Sequence, residues 1–331
     1  MTVLITGANG HIGANLVRAL IERNQPTRCL LHVNSKAIEG LAAEGTEGDI
    51  RDVESLCKAF HGIDTVYHLA ANISLSMDGW KRMEETNVAG TRNVVEACLR
   101  TGVRRLVHFS SIHALQAEPL SEPIDESRPL VEWPGCAPYE RSKAAGEREV
   151  RKGIEKGLDA VIIYPTAVIG PHDYQPSYLG EAILMMANGR LPALVPGGYD
   201  WVDARDVAVG AITAAEKAPA GASYLLSGQW VSMYDMAAMV EIITGVPSNK
   251  FLCPFWLARI GAVYFKAVSR FNGKQPLYTS MSLKALQSNK HISHDKATRE
   301  LGYNPRPFRE TLEDSLRWFS ETGKLKAKIK I

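Results

Sequence analysis

Apolar positions in the first half of the chain follow two alternating rhythms. Short runs rich in Val, Ile and Leu occur at residues 3–6, 27–33, 65–69, 105–110 and 160–164. Their length and near-continuous hydrophobicity suit strands buried on both faces of a parallel sheet. Between them, residues 12–23, 53–60, 80–101 and 139–156 place apolar side chains at helical spacing. Strand–helix–strand alternation predicts a doubly wound α/β sheet with right-handed crossovers. After Pro165 the rhythm breaks. Residues 170–198 are punctuated by Pro and Gly around one short helix at 180–188. A strand at Trp201 and Val202 and a helix at 206–216 are expected to return the chain to the sheet, with 223–227 as a further strand. Residues 233–319 read as mainly helical, with loops.

Composition narrows the class. At ~150 residues per domain, 331 residues make about two units. Apolar residues are 45% and charged residues 22%, as in a folded globular enzyme and unlike a disordered or fibrous chain. The formal net charge is only +2, so no global field draws the molecule to nucleic acid or an anionic membrane. Five scattered cysteines without a C-x-x-C pair argue against a disulfide scaffold or a zinc cluster and fit a reducing compartment. The first residues, MTVLITGANG, lack the basic and apolar regions of a secretory signal. No uncharged stretch reaches the ~18 residues of a membrane helix. A cytoplasmic protein with no integral membrane segment and no nucleic-acid partner is expected.

The chemistry starts at the N-terminus. Thr6-Gly7-Ala8-Asn9-Gly10-His11-Ile12-Gly13 follows a strand and opens a helix. Gly7 permits a tight turn, Gly10 lets backbone approach a pyrophosphate, and Gly13 lets helix and strand pack closely. The helix N-terminus offers free N–H groups and the positive end of its dipole to a diphosphate. The reading is a dinucleotide site, with Asn9, His11 and Ile12 completing the loop. NAD sites place an acid about 20 residues on, against the ribose hydroxyls. Here the second strand runs out through Asn34, Ser35 and Lys36, with no Asp or Glu between Glu22 and Glu39. Ser35 and Lys36 suit a 2′-phosphate, so NADP is expected, with NAD as the alternative. Arg28 reads as a solvated strand residue. Asp49, with Ile50, follows a possible third strand where a carboxylate accepts from an adenine amino group; the plainer role of helix N-cap falls to Asp52.

Tyr139 and Lys143 lie at i and i+4 of one helix, hence on one face. A free phenol, with a pKa near ~10, is a poor acid–base group at neutral pH, and a neighbouring ammonium makes it competent. Ser111 ends the 105–110 strand at the sheet edge, placed to hydrogen-bond a carbonyl or alcohol oxygen opposite Tyr139. Alone, a serine pair after a strand is a turn and Y-x-x-x-K is a helix face; their order after a glycine loop points to one site.

Together with GDIRD at 48–52, His68-Leu69-Ala70-Ala71, Asn87-Val-Ala-Gly-Thr91, Phe109-Ser110-Ser111, Tyr164-Pro165 through Gly170-Pro171, and Trp201 through Val207, these motifs resemble an extended short-chain dehydrogenase/reductase. The group is the NAD-dependent epimerase/dehydratase family, with most likeness to its dihydroflavonol-reductase-like and 3β-hydroxysteroid-dehydrogenase-like members. The resemblance implies a Rossmann domain over 1–169 and 200–230 and a smaller, mostly helical substrate lobe over 170–199 and 231–331. It implies Ser111, Tyr139 and Lys143 as catalytic triad and Leu69, Ala70 and Ala71 along the cofactor cleft. Pro165, Ala167 and Val168 would shape the nicotinamide pocket, and Lys143 would also bond the ribose. The reaction it implies is reduction of a carbonyl on a small, hydrophobic substrate, with Tyr139 giving the proton, or the reverse oxidation. It also implies a homodimer, formed through the helices at 80–101 and 139–156, and gives Asn87 a structural role.

Two departures bear on the alternatives. The dehydratases of the family carry an acidic pair where this chain has Ile112 and His113. Its nucleotide-sugar epimerases commonly carry an Arg seven residues before the position of Asp206, where this chain has Tyr199. A phenol cannot replace a bidentate phosphate clamp. An epimerase is therefore second choice, and a non-catalytic NADP-binding sensor third, because Tyr139 and Lys143 are both kept. His291 and His294 have no third ligand nearby, and no metal is expected. His113 adjoins the catalytic strand, within reach of substrate. The apolar, aromatic stretch 251–271 is interrupted by Arg259, Lys266 and Arg270 and reads as a lobe helix rather than a membrane anchor. The Lys-alternating tail from Lys324 reads as a frayed terminus.

Overall fold

The computed structural model describes the chain apart from residues 32–35, 74–78, 133, 135, 250, 273–278, 328 and 330–331, and apart from the side chains of 264–272 and 280. Its strands are β1 (Val3–Thr6), β2 (Thr27–Leu31), β3 (Glu44–Glu47), β4 (Thr65–His68), β5 (Arg105–Phe109), β6 (Ala160–Pro165), β7 (Ala167–Ile169), β8 (Gly198–Asp203), β9 (Ser223–Leu226) and β10 (Gln229–Ser232). The helices of the first half are α1 (His11–Glu22), α2 (Val53–Ala59), α3 (Trp80–Met83), α4 (Gly90–Thr101) and α5 (Pro138–Glu155). Those that follow are α6 (Tyr178–Ala187), α7 (Ala204–Lys217), α8 (Met233–Thr244), α9 (Phe255–Asn272), α10 (Ser280–Leu286), α11 (Asp295–Leu301) and α12 (Phe308–Glu321).

Seven strands form one parallel sheet in the order β3-β2-β1-β4-β5-β6-β9. Alternate residues of a strand face opposite sides, and the apolar runs are used on both. Ile5 and Val107 join a core with Leu16 and Val17 of α1 and Val207 and Ala211 of α7. Their neighbours Leu4 and Leu106 join another with Leu56 of α2, Val94 and Cys98 of α4, and Val150 of α5. The strand order reverses between β1 and β4, which opens a crevice at the carboxyl ends of the strands.

Trp201 and Val202 do not return to this sheet. They belong to β8, in a separate three-stranded sheet ordered β10-β8-β7. The indole explains the choice. Trp201 is buried among Val231, Phe308 and Leu312, and its Nε1–H donates to the Val231 carbonyl at 3.1 Å. That apolar core, built by α6, α8 and α12, holds the strand by its largest side chain.

The helix expected over 80–101 also differs. Between α3 and α4, residues Glu84–Ala89 form wider π-helical turns, a distortion frequent at functional sites. Val94, Val95 and Cys98 are buried in the chain's own core. Asp52 caps α2, accepting from the Glu54 N–H at 3.0 Å.

Candidate active site

A cavity of about 1650 Å³ runs along the carboxyl edge of the sheet. At one end lies the glycine loop. Gly7 has φ +77°, and a Cβ there would sit 2.7 Å from the Ala70 nitrogen. A Cβ on Gly13 would sit 2.2 Å from the Gly7 carbonyl oxygen. No side chain caps α1 at Gly10, and the buried Asn9 Oδ1 has no partner. Backbone pressed this closely, with an uncapped helix start, is a cradle that fits a dinucleotide diphosphate.

The His11 ring turns toward the segment after β7. Its Nε2 lies 3.1 Å from the Gly170 carbonyl and 3.0 Å from that of Pro171, and Asn15 donates to the same Pro171 oxygen at 2.9 Å. The pair ties the loop to the segment after β7. On the other side, Thr6 Oγ1 meets His68 Nδ1 at 2.8 Å and accepts from the Ala70 N–H at 3.2 Å. His68 Nε2 meets Thr91 at 3.0 Å. Burial lowers the His68 pKa to about 3, so the ring is a neutral strut.

Leu30, Gly48, Asp49, Ile50 and Arg51 line the far end of this arm. Asp49 is held by the Arg51 guanidinium, with both Nε contacts at 3.0 Å. Of the residues expected to select the nucleotide, Asn34 and Ser35 lie outside the described residues, and Lys36 is exposed and outside the cavity wall. Arg28 lies away from the site, paired with Glu44 at 3.0 Å and donating to the Ala59 carbonyl at the end of α2.

Ser111, Tyr139 and Lys143 line this cavity together with Leu69, Ala70, Ala71, Pro165, Ala167 and Val168. The half-buried Tyr139 phenol faces the Ser111 hydroxyl. Burial raises the phenol above its ordinary pKa, and that hydroxyl works against the rise. Ser111 also accepts from the His113 N–H at 3.2 Å. Lys143 is buried, and its Nζ donates to the Phe109 carbonyl at 2.6 Å. Burial lowers its pKa to about 8, with the Glu147 carboxylate acting in the opposite direction.

These side chains rest on two buried residues, Glu147 and Asn87. Glu147, fully buried one turn beyond Lys143, accepts from Ser110 and from the Tyr164 phenol, each at 2.7 Å, and pairs with Arg151 at 2.7 Å. It thereby ties α5 to the ends of β5 and β6. Asn87, carried on the π-helical turns, donates to Ser142 at 2.9 Å and to the Asn72 carbonyl at 2.9 Å, and accepts from the Asn72 N–H at 2.7 Å. A Cβ on Gly146 would lie 2.3 Å from the Asn87 carbonyl oxygen, so α5 presses directly on those turns.

The other arm of the cavity is mainly apolar, with Leu115, Val131, Leu179, Ala182, Met233 and Met281 among its walls. Asn72, Ile112, Tyr178, Tyr199, Asp200 and residues of α10 also line the cavity. His113 lines this arm with its ring edge-on to Tyr139, centroids 6.0 Å apart. Tyr199 donates to the Ser282 carbonyl at 3.2 Å, joining β8 to α10. His294 lies elsewhere, its Nδ1 2.8 Å from Ser227 Oγ.

Doubly wound sheet, glycine cradle and Ser–Tyr–Lys cluster define an NAD(P)-dependent enzyme of the extended short-chain dehydrogenase/reductase class. The chain belongs to the NAD dependent epimerase/dehydratase family, whose model matches residues 3–226. It is 36% identical over 327 residues to sterol demethylase protein B of Methylococcus capsulatus, covering 98% of this chain and 99% of that one. It is 28% identical to a 3-beta-hydroxysteroid dehydrogenase of Mycolicibacterium neoaurum, covering 92% and 87%. The crystal structure of gox2253 superposes with a TM-score of 0.86 at 34% identity, covering 98% and 99% of the two chains.

Proposed function

We propose that this enzyme reduces a ketone or aldehyde on a small, apolar substrate with NADP(H), or oxidises the corresponding alcohol. The observation that carries the reading is that Ser111, Tyr139 and Lys143 line one cavity with the glycine cradle. When bound, the nicotinamide supplies or accepts the hydride. Tyr139, kept protonated by burial, donates its proton to the substrate oxygen as the carbonyl carbon is reduced. Ser111 holds that oxygen by a second hydrogen bond, and Lys143 would hold the nicotinamide ribose while its charge favours the phenolate left behind. The apolar far arm supports a hydrophobic substrate. Tyr199, engaged with Ser282, supports a reductase over an epimerase that clamps a nucleotide diphosphate. A panel of hydrophobic ketones and alcohols, followed by nicotinamide absorbance, tests the assignment. Net consumption of NADPH supports it; interconversion of nucleotide sugars without net cofactor change would replace it.

Lys143 sets an expected pH profile. Below about pH 8 its ammonium is present, and above that it is lost, so kcat/KM for reduction should fall above pH 8 with the slope of one proton. Stability should move the other way. The unfolded chain keeps this proton up to ~10.4, so between the two values it binds more protons than the folded chain, and this site's contribution to stability rises with pH. A fall in activity above pH 8 accompanied by a falling Tm would assign the loss to unfolding instead.

For the nucleotide, the acid-free end of β2, with Lys36 beyond it and Arg51 in the cavity wall, supports NADP. Lys36→Glu should cut the NADPH-over-NADH preference by about tenfold, through repulsion of the 2′-phosphate. An unchanged ratio of Kd values for the two nucleotides removes Lys36 from the site.

A further inference from the structure

Helix α9 is built the wrong way round for a lobe helix. Among its described side chains it buries Ala258 at 7% exposure and Ala262 at 3%, and shows solvent Trp256 at 65%, Ile260 at 59% and Val263 at 68%, while Phe255 packs against the core. Positions 256, 260 and 263 follow i, i+4, i+7 spacing and share one face. Phe251 and Leu252, just before the helix, are also exposed. Such a patch exceeds the scattered apolar exposure normal for a soluble surface and marks an interaction site.

Charge identifies the occupant. From Phe255 to Asn272 the helix carries Arg259, Lys266 and Arg270 and no Asp or Glu, although the whole chain is nearly neutral. A two-fold contact with a second copy would set this basic helix against itself, like charge facing like. An anionic bilayer surface complements both features, because it accepts Trp and Ile into its interface and attracts the cations. No described helix is long and apolar enough to cross a membrane, so the contact is peripheral. Helix α9 packs against α10, whose Met281 and Ala285 line the apolar arm of the cavity.

We propose that the exposed face of α9 docks the enzyme on anionic lipid surfaces. The proposal does not depend on the reaction. It is tested with the full chain in co-sedimentation with vesicles of phosphatidylcholine alone and of phosphatidylcholine with phosphatidylglycerol. Binding to the anionic vesicles should exceed binding to neutral ones by at least about tenfold and weaken in high salt. Trp256→Ser with Ile260→Ser should lower it by about tenfold with Tm unchanged, because both side chains already face water. Arg259→Glu should lower binding to the anionic vesicles alone. Equal binding to both vesicle types, or none to either, overturns the proposal. So does a double variant that binds vesicles like the parent. Sedimentation in which the double variant converts a dimer to a monomer, without vesicle binding, assigns the face to a second copy instead.

Discussion

Tyr139→Phe should lower turnover by about 10²–10⁴-fold, the usual worth of a positioned general acid, and leave NADPH affinity nearly unchanged. The substitution removes one oxygen and keeps the ring. The edge-on contact with His113 therefore survives, and Ser111 still accepts from the His113 N–H. Lys143 is anchored independently, by the Phe109 carbonyl and the Glu147 carboxylate one turn away, so the nucleotide end of the site is undisturbed. What is lost is the hydroxyl that faces Ser111 and carries a transferable proton into the cavity. Stopped-flow reduction with saturating NADPH, beside nucleotide fluorescence titration, separates the two effects. A Phe variant retaining more than about a tenth of the parent rate would transfer the proton-donor role to another group, and His113 would be the first to examine.

The parts of this site legible in the sequence are those where chemistry and local geometry coincide. A glycine loop must sit between a strand and a helix, and Tyr139 and Lys143 must share a helix face. Both constraints act within a dozen residues, and the motifs that carried the family resemblance are of this kind. The supporting contacts reach across the chain. Glu147 joins Ser110 and Tyr164, and Asn87 joins Asn72 to Ser142; nothing local to either residue announces its partner. The π-helical turns at Glu84–Ala89 are equally silent, because a helix and its wider variant share one apolar rhythm until an Asn has to reach sideways. The error at Trp201 and Val202 has the same origin. A short apolar pair reads as a strand, but which sheet it joins is decided by the pocket that takes the indole, and that pocket is assembled from Val231 and Phe308. The apolar arm was least legible of all, since α10 reaches the cavity through the packing of a late, irregular part of the chain.

The glycine cradle makes the second large prediction, which comes as a contrasted pair. In Gly13→Ala the new Cβ would lie 2.2 Å from the Gly7 carbonyl oxygen and 2.9 Å from the Ala8 Cα. Both obstacles are backbone, so no rotamer relieves them, and α1 has to move away from the loop. Overpacking of this kind costs about 1–3 kcal/mol, and the displaced first turn no longer aims its N–H groups where a diphosphate would lie. Lower Tm and a loss of NADPH affinity of about tenfold or more are expected together. In Gly10→Ala the nearest atom to the new Cβ is the Gly7 oxygen at 3.3 Å, a contact the chain absorbs with a small shift. Tm should then stay close to that of the parent. Affinity should still fall, because the methyl group occupies the surface a pyrophosphate approaches. Two losses of binding, only one of them accompanied by lower stability, distinguish close packing of helix on strand from close approach of a ligand. If Gly13→Ala binds NADPH like the parent, the loop is a tight turn and no nucleotide rests on it.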